Sequence, residues 1–426
     1  MTPPLDVYLM PAVVGGGRGD IDEVLVAGHY LRRAGFEPMV YRRAGRPLPR
    51  EVDGPWDWPR HRRISALRPN ASRALTVTPC WGVSAAPSRD EPFGRGGPWE
   101  PEASDIERRY GSDRTLHVSL EEFARTLTSR QESAERWREG GRTAQEIRAW
   151  TRRPEFSREA AAYRRAYRRF RAFDRENVVH LYATFQPSIA FAREYPEAIQ
   201  CGPLWPIHGR RARSRPARRG RSRPQWIWYA SPSSAERIAP RVLEGLARAP
   251  GRPQLIVRVP RRWALDLRAE DGTVSTATDV PVRWHRALAA ADLRIVTGSR
   301  TLLEAIGLGG PFLYFNGILG TGASTHRHRP EKLDRMLAVA PFPKDVQRDL
   351  RDFARGRRIA SVVRRASRRA GGWGRWPSGP WTQGFPSRAS DAGRLLVSIA
   401  RSFAATTAPS PDVVRALRAG RPPPRR

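Results

Sequence analysis

Lysine, asparagine and cysteine are nearly missing from this chain. Its 426 residues include two lysines, Lys332 and Lys344, and three asparagines, Asn70, Asn177 and Asn316. With 76 basic residues and two lysines, 74 are arginine. Scarce Lys and Asn beside abundant Arg, 36 Gly and 39 Pro are what G/C-rich coding produces. Much of the net charge of +34 is therefore expected on solvated faces, and an anionic partner is the lesser reading. The two cysteines, Cys80 and Cys201, exclude a disulfide framework and a cysteine metal site. No apolar run approaches the ~20 residues that cross a bilayer. Asp6 stands close to the start and the chain moves straight into a glycine loop, so no secretory signal is read. The expectation is an intracellular, cytoplasmic protein, soluble or peripheral at the inner face of a membrane.

At this length two domains of similar size are expected. The stretch that organises the chain is residues 291–322, ADLRIVTGSRTLLEAIGLGGPFLYFNGILGTG. Leu293–Val296 reads as a buried strand and Thr297-Gly298-Ser299 as a tight polar turn. Leu302, Leu303, Ile306 and Leu308 mark one face of a short helix, which Gly309-Gly310-Pro311 stops before a strand from Phe312. A strand, turn, helix and strand form a parallel unit, and ligands of such sheets sit beyond the carboxyl ends of the strands. The helix opening at 299–301 would offer free N–H groups and a positive dipole end to a phosphate. Glu304, one turn further in, would reach ribose hydroxyls. The same residues also suit an ordinary structural unit.

The amino terminus has a similar plan. Residues 5–14 are an apolar strand, and Gly15-Gly16-Gly17-Arg18-Gly19-Asp20 forms a loop. A helix with Ile21, Val24, Leu25, Gly28 and Leu31 on one face follows, and residues 36–41 make a second strand. The loop resembles a Rossmann beginning without being GxGxxG, and no acid follows the second strand to hold an adenosine ribose. A nicotinamide or flavin cofactor is not indicated. Residues 44–115, rich in Pro, Gly, Trp and Arg, are expected to be irregular apart from a strand at 74–78, and residues 117–176 helical. Tyr163, Tyr167, Phe170 and Phe173 share a helical face that suits core contact or a membrane interface. A strand at 178–184 precedes an exit at 201–206, and residues 208–225, HGRRARSRPARRGRSRPQ, read as a solvated connector. In the second half, strands are expected at 226–230, 255–259 and 282–284. A turn at 231–234 and a helix over 235–249 follow the first of them, and a further helix spans 286–291. A late helix is expected at 391–404, and the tail from 406, ending PPPRR, is expected to be disordered.

Two Rossmann-like halves, an arginine-proline connector and a late helix resemble the GT-B glycosyltransferases. The likeness is greatest to the peptidoglycan lipid-intermediate N-acetylglucosaminyltransferases and the wider UDP-glycosyltransferase group. The loop GGGRGDIDEVLVAGHYLRRAGFE is similar to their opening loop and helix, and ADLRIVTGSRTLLEAIGLGGPFLYF to their donor motif. The implied fold class is α/β, with two Rossmann-like domains facing a cleft. Residues 1–206 would form the acceptor domain, with an irregular and helical insert at 44–176. Residues 207–225 would link it to a nucleotide-sugar domain at 226–388, followed by a helix at 389–405 and a disordered basic tail at 406–426.

The resemblance implies Gly298, Ser299 and Thr301 at the diphosphate and Glu304 on the ribose. Ser231, Ser233 and Ser234 would line the phosphate side, although that turn lacks the family's glycine. Trp284 would edge the base, Asn316 and Gly317 would meet the sugar, and Arg327 and Arg329 would neutralise the leaving diphosphate. The glycine loop Gly16, Gly17, Arg18 and Gly19 would lead to Asp20, which stands where that family often has a histidine base. Asp20 suits a general base or the N-cap of its helix equally. No metal and no resident cofactor are implied, because no DxD pair sits at a strand end and the histidines are scattered. The expected activity is metal-independent, inverting transfer of a sugar from a nucleotide-diphosphate donor, UDP-linked, to an unidentified acceptor: a glycolipid, a cell-envelope glycan or a small molecule. The alternatives are a UDP-sugar 2-epimerase of the same fold and a non-catalytic basic binder of nucleic acid or anionic membrane. Nucleic acid is the less favoured partner, since aromatic-plus-arginine platforms are missing.

Overall fold

The structure is a computed structural model. It describes residues 4–11, 19–43, 62–79, 101–121, 176–183, 199–201, 204, 224–229, 232–249, 253–258, 274–277, 288, 290–297, 301–302, 304–305, 311–315, 337, 342–370 and 392–421. Two parallel sheets organise them. The first contains β1 (Asp6–Leu9), β2 (Pro38–Tyr41), β3 (Arg62–Ile64), β4 (Ala74–Pro79), β5 (Thr115–Glu121), β6 (Val178–Ala183) and β7 (Ile199–Cys201). Its order is β3-β2-β1-β4-β5-β6-β7, with every pair parallel. The order reverses between β1 and β4, as in a doubly wound fold. The second sheet contains β8 (Gln225–Tyr229), β9 (Gln254–Arg258), β10 (Val274–Ala277), β11 (Leu293–Val296) and β12 (Phe312–Tyr314), ordered β10-β9-β8-β11-β12 and again parallel throughout. Its reversal falls between β8 and β11.

The strands of the first sheet alternate strictly. Val7, Leu9, Leu75, Val77, Leu116, Val118, Leu120, Val179 and Leu181 join one core. It is covered by helix α1 (Gly19–Arg33), where Val24, Leu25, Ala27 and Leu31 are buried. The opposite face carries Tyr8, Thr76, His117, Ser119 and His180, all buried, and helix α2 (Pro101–Tyr110) adds Ala103, Ile106 and Tyr110 to it. Parallel sheets are covered on both sides, so polar residues on this face must find partners inside the protein. The Thr76 hydroxyl and His117 Nδ1 are 2.6 Å apart, and His117 Nε2 is 3.2 Å from Glu107 of α2. Asp6 Oδ2 accepts from the Asn70 and Ala71 amides and from the Tyr110 hydroxyl, which itself lies 2.5 Å from the Tyr8 hydroxyl. Burial pushes the Tyr8 phenol up to about 12 and raises that of Tyr110 further.

The second core has Trp226, Trp228, Leu255, Val257, Leu293, Ile295 and Phe312 from the strands. Helices α3 (Pro232–Ala247), α4 (Lys344–Ala354) and α5 (Ile359–Ala370) pack on them through Val242, Leu350, Phe353, Val362 and Val363. Gly245 lets α3 and α5 meet closely, since a Cβ there would stand 2.7 Å from Val363 Cβ.

The last thirty described residues return to the first sheet. Helices α6 (Ala392–Ala405) and α7 (Ser410–Arg418) add Leu396, Ile399, Ala400, Phe403, Val413 and Val414 to its core. Arg73, buried at the start of β4, donates to the carbonyls of Thr406 and Ala408 and lies 3.9 Å over the Phe403 ring. Arg418 donates to the Val178 carbonyl and the Ser410 hydroxyl to that of Asp113.

Several expectations are corrected. Residues 410–418 are not disordered: Val413 and Val414 find an apolar surface that composition does not reveal. Within the supposedly irregular 44–115, α2 begins on Pro101 and Glu102 and carries Arg108 and Arg109 in its last turn, suiting both helix ends. Residues 115–121 form β5 and not the start of a helix, because alternation buries Leu116, Val118 and Leu120 together. Helix α3 starts at Pro232, so Ser233 and Ser234 belong to its first turn and not to a preceding turn. The aromatic stripe at 163–173, the strand at 282–284 and the connector 208–223 lie outside the described residues.

Candidate functional site

The carboxyl ends of β8 and β11 meet where the second sheet reverses its order. Ile295 pairs with Trp228, and two residues beyond it the Thr297 hydroxyl donates to the Tyr229 carbonyl at 2.9 Å. This bond ties the two strand ends together at the position where open α/β sheets bind ligands. Helix α3 leaves β8 almost at once, opening at Pro232 three residues after Tyr229. Past β11, Thr301, Leu302, Glu304 and Ala305 are helical. Leu302 and Ala305 are fully buried in the core, which fixes the rotation of this turn. Thr301 and Glu304 are 8% and 4% exposed. A buried glutamate on a helix entering from a reversal point is held by its surroundings and cannot swing freely into water. The α3 opening and the helical residues Thr301, Leu302, Glu304 and Ala305 therefore both follow the tied strand ends, and the leading N–H groups of α3 favour an anion there.

On the other face of the second sheet, Arg294 is buried in β11 and its Nε donates to the Leu288 carbonyl at 2.6 Å. Burial lowers its guanidinium to about 10. Sequence reading passes over this cation because it sits inside an apolar run. In the first sheet, β1 ends at Leu9 and α1 begins at Gly19, so Asp20 is the second residue of α1 and lies in its first turn. A carboxylate there is favoured by the helix dipole whether or not it performs chemistry. Glu23, on the same helix, is buried at 3% exposed.

Of the site residues expected from sequence, Thr301 and Glu304 are placed with their side chains, and Gly19, Asp20, Ser233 and Ser234 with their backbone. Gly16, Gly17, Arg18, Ser231, Trp284, Gly298, Ser299, Asn316, Gly317, Arg327 and Arg329 lie outside the described residues. His117 and His180 are not scattered. They occupy one face of adjacent strands, where Ser119 stands opposite His180 and Val178 opposite His117. Among the described residues no group of His, Cys, Asp and Glu could hold a metal ion, and no helix is long and apolar enough to cross a membrane.

No family model matches the chain, and no curated protein matches it. Among solved structures it is similar to the glycotransferase of kitacinnamycin, at 16% identity over 88% of this chain and 97% of that one, with a TM-score of 0.46. It is similar to the spinosyn rhamnosyltransferase SpnG complexed with thymidine diphosphate, at 14% identity over 86% and 96% of the two chains, with a TM-score of 0.40. WaaG, a glycosyltransferase involved in lipopolysaccharide biosynthesis, gives 15% identity over 86% and 100%, with a TM-score of 0.37. Values this low carry no argument by themselves. The assignment rests instead on the strand orders and on the return of α6 and α7 to the first sheet. Two Rossmann-like parallel sheets joined in this way are the elements of the GT-B architecture.

Proposed function

We propose that this protein transfers a sugar from a nucleotide-diphosphate donor, UDP-linked, to an acceptor, without a metal ion and with inversion. The observation that carries the reading is the Thr297–Tyr229 bond at the reversal of the second sheet, with Thr301 and Glu304 buried directly beyond it. The diphosphate is taken by the helix openings after β8 and β11, where N–H groups of the first turns meet its charge. Glu304 accepts from the ribose hydroxyls. The leaving diphosphate keeps those N–H partners as its charge grows, which favours departure more than ground-state binding does. The acceptor enters from the first sheet, where Asp20 takes the proton of the attacking hydroxyl as the new glycosidic oxygen–carbon bond forms and the anomeric carbon–phosphate oxygen bond breaks.

Thermal unfolding with UDP-, GDP- and TDP-sugars tests the reading. UDP-sugars are expected to raise the transition of the wild-type chain and to leave that of Glu304→Ala unmoved. Asp20→Asn should bind donor normally and fail to turn over. A chain that no nucleotide or nucleotide sugar stabilises is not a transferase of this kind, and full turnover in Asp20→Asn reduces that residue to a helix-end carboxylate.

A further inference from the structure

Helix α4 is two-faced in an unusual way. Val346, Leu350 and Phe353 are buried against the second core, with Phe353 edge-on to Phe315. On the other side, Lys344, Arg348, Arg351 and Arg355 recur at intervals of four, three and four residues and so line one stripe about 17 Å long. Lys344, Arg348 and Arg355 are exposed and Arg351 half-buried. The turn that follows extends the stripe with Arg357 and Arg358. Gly356 has a φ of +69° and closes α4, while Arg358 is held at +48°, a left-handed conformation that seldom suits a side chain. Its side chain is 70% exposed. Arg241 of α3 donates to the Gly356 carbonyl, which brings a further exposed cation to the turn at the end of the stripe, and Arg248, also exposed, lies about two helical turns further along α3.

Counter-charges are few here and already engaged. Asp349 is buried and forked by Arg365, the Asp352 carboxylate faces Arg358 at 3.9 Å, and Glu244 pairs with Arg248. The half-buried Asp345 lies in the first turn of α4, where the dipole favours it. Among the described side chains of α3, α4 and the turn after it, seven exposed cations stand against one exposed acid, Glu244. Arg241 and Arg248 lie about 14 and 24 Å along α3 from its opening at β8, away from the proposed diphosphate site.

We propose that this corner of the second domain docks the protein on a membrane surface rich in acidic phospholipid. A basic stripe on an amphipathic helix is the arrangement that acidic headgroups attract. Arg241 beside the turn at Gly356 widens the stripe at that end, which suits a plane of charge. Nothing in the patch serves base recognition: the aromatic rings of α4 and its flanks, Phe342 and Phe353, are buried, and the Gln347 amide is engaged with the Phe342 carbonyl and Arg351. The attachment is electrostatic and reversible, and high salt abolishes it. It does not depend on the glycosyltransferase reading and survives if that reading fails.

Co-sedimentation of the full chain with phosphatidylcholine vesicles, and with vesicles also containing phosphatidylglycerol, tests the proposal. Binding is expected only to the acidic vesicles, with release as sodium chloride is raised. A variant carrying Lys344→Glu, Arg348→Glu, Arg355→Glu and Arg357→Glu should lose at least about a hundredfold in partitioning, since each charge contributes about fivefold. A control with Arg33→Glu, Arg62→Glu, Arg63→Glu and Arg109→Glu has the same net charge and should keep most of it. Should the first variant unfold, Arg348→Glu with Arg355→Glu is measured in its place. Equal binding to neutral vesicles, equal loss in the control, undiminished binding by the stripe variant, or tighter binding to duplex DNA at equal phosphate concentration would each overturn the proposal.

Discussion

The Thr297 hydroxyl donates to the Tyr229 carbonyl 68 residues earlier in the chain, at 2.9 Å. Beyond the ladder that pairs β11 with β8, this bond ties the end of the strand that leads into the proposed diphosphate helix to the end of the strand that leads into α3. The α3 opening and the helical residues Thr301 and Glu304 are thereby set in one frame. Thr297→Val keeps the shape of the side chain and removes the donor. We expect a loss of about 1 kcal/mol from the partly buried carbonyl left without it, read as a lower midpoint in thermal unfolding. UDP affinity, measured by calorimetry, should weaken in the same variant. A lower midpoint with unchanged affinity would make the bond a tie between strands and nothing more.

The phenols beneath the first sheet predict an alkaline weakness. Burial holds Tyr8 and Tyr41 at about 12 against 10.0 when unperturbed, and raises Tyr110 as well. Below pH 10 these groups are protonated in both states and their contribution is complete. Between pH 10 and about 12 the unfolded chain gives up its protons first, so stability falls as pH rises. Arg73 and Arg294, lowered to about 10 by burial, act in the opposite sense from pH 10 to 12.5, where the unfolded chain binds more protons. That contribution is common to wild type and Tyr8→Phe and cancels between them. Tyr8→Phe should therefore cost about 1 kcal/mol at neutral pH, from the bond to Tyr110, and lose less than wild type between pH 10 and 12. Denaturant titrations at several pH values measure both. Parallel pH curves for the two proteins would contradict the assignment.

Sequence patterns disclose the fold where one signal dominates and hide it where two compete. LRIV at 293–296, set between Asp292 and Thr297-Gly298, is a strand by every criterion, and β11 occupies those residues. TLHVSLE at 115–121 alternates as a strand should. Its His, Ser and Glu, with the helix-favouring sequence that follows, blur the boundary until pairing with β4 and β6 settles it. PEASDIERRY and SPDVVRALR have proper helix ends but lie in proline-rich surroundings, where composition outweighs local pattern. Thr301 and Glu304 stand out because they follow a strand and a glycine turn. The Thr297–Tyr229 bond does not, because strand order brings together residues that no spacing relates. The same is true of His117 and His180, which are separated in sequence and share a face through the pairing of β5 with β6.

Gly393 sits on the Tyr30 ring, where α6 crosses α1. A Cβ on Gly393 would stand 2.5 Å from Tyr30 Cδ1, inside any tolerable contact. Gly393→Ala should cost about 1–3 kcal/mol through overpacking. Tyr30→Ala should recover much of that in the double variant, because the added methyl then has space. The four proteins form a double-mutant cycle, with stability read by denaturant titration. Additive losses would mean that α6 and α1 do not meet in this way.

The first domain takes its core from both ends of the chain, and this has a consequence for any attempt to divide the protein. Leu396, Ile399, Phe403, Val413 and Val414 are fully buried among strands encoded nearly two hundred residues or more earlier. At roughly 2 kcal/mol each they contribute about 10 kcal/mol as an upper figure, comparable with the whole stability of an ordinary domain. Arg73 would also lose its two carbonyl partners and the Phe403 ring, leaving a cation in a half-made core. A chain ending at residue 388 is therefore expected to lose the cooperative unfolding of its first domain while the second, closed by α3, α4 and α5, keeps its own. Addition of a peptide spanning residues 389–426 should restore protection of the β1 and β4 amides in hydrogen exchange, because the missing surface is supplied in trans. If residues 1–388 protect those amides as well as the full chain does, the C-terminal helices cover a finished core and do not complete it.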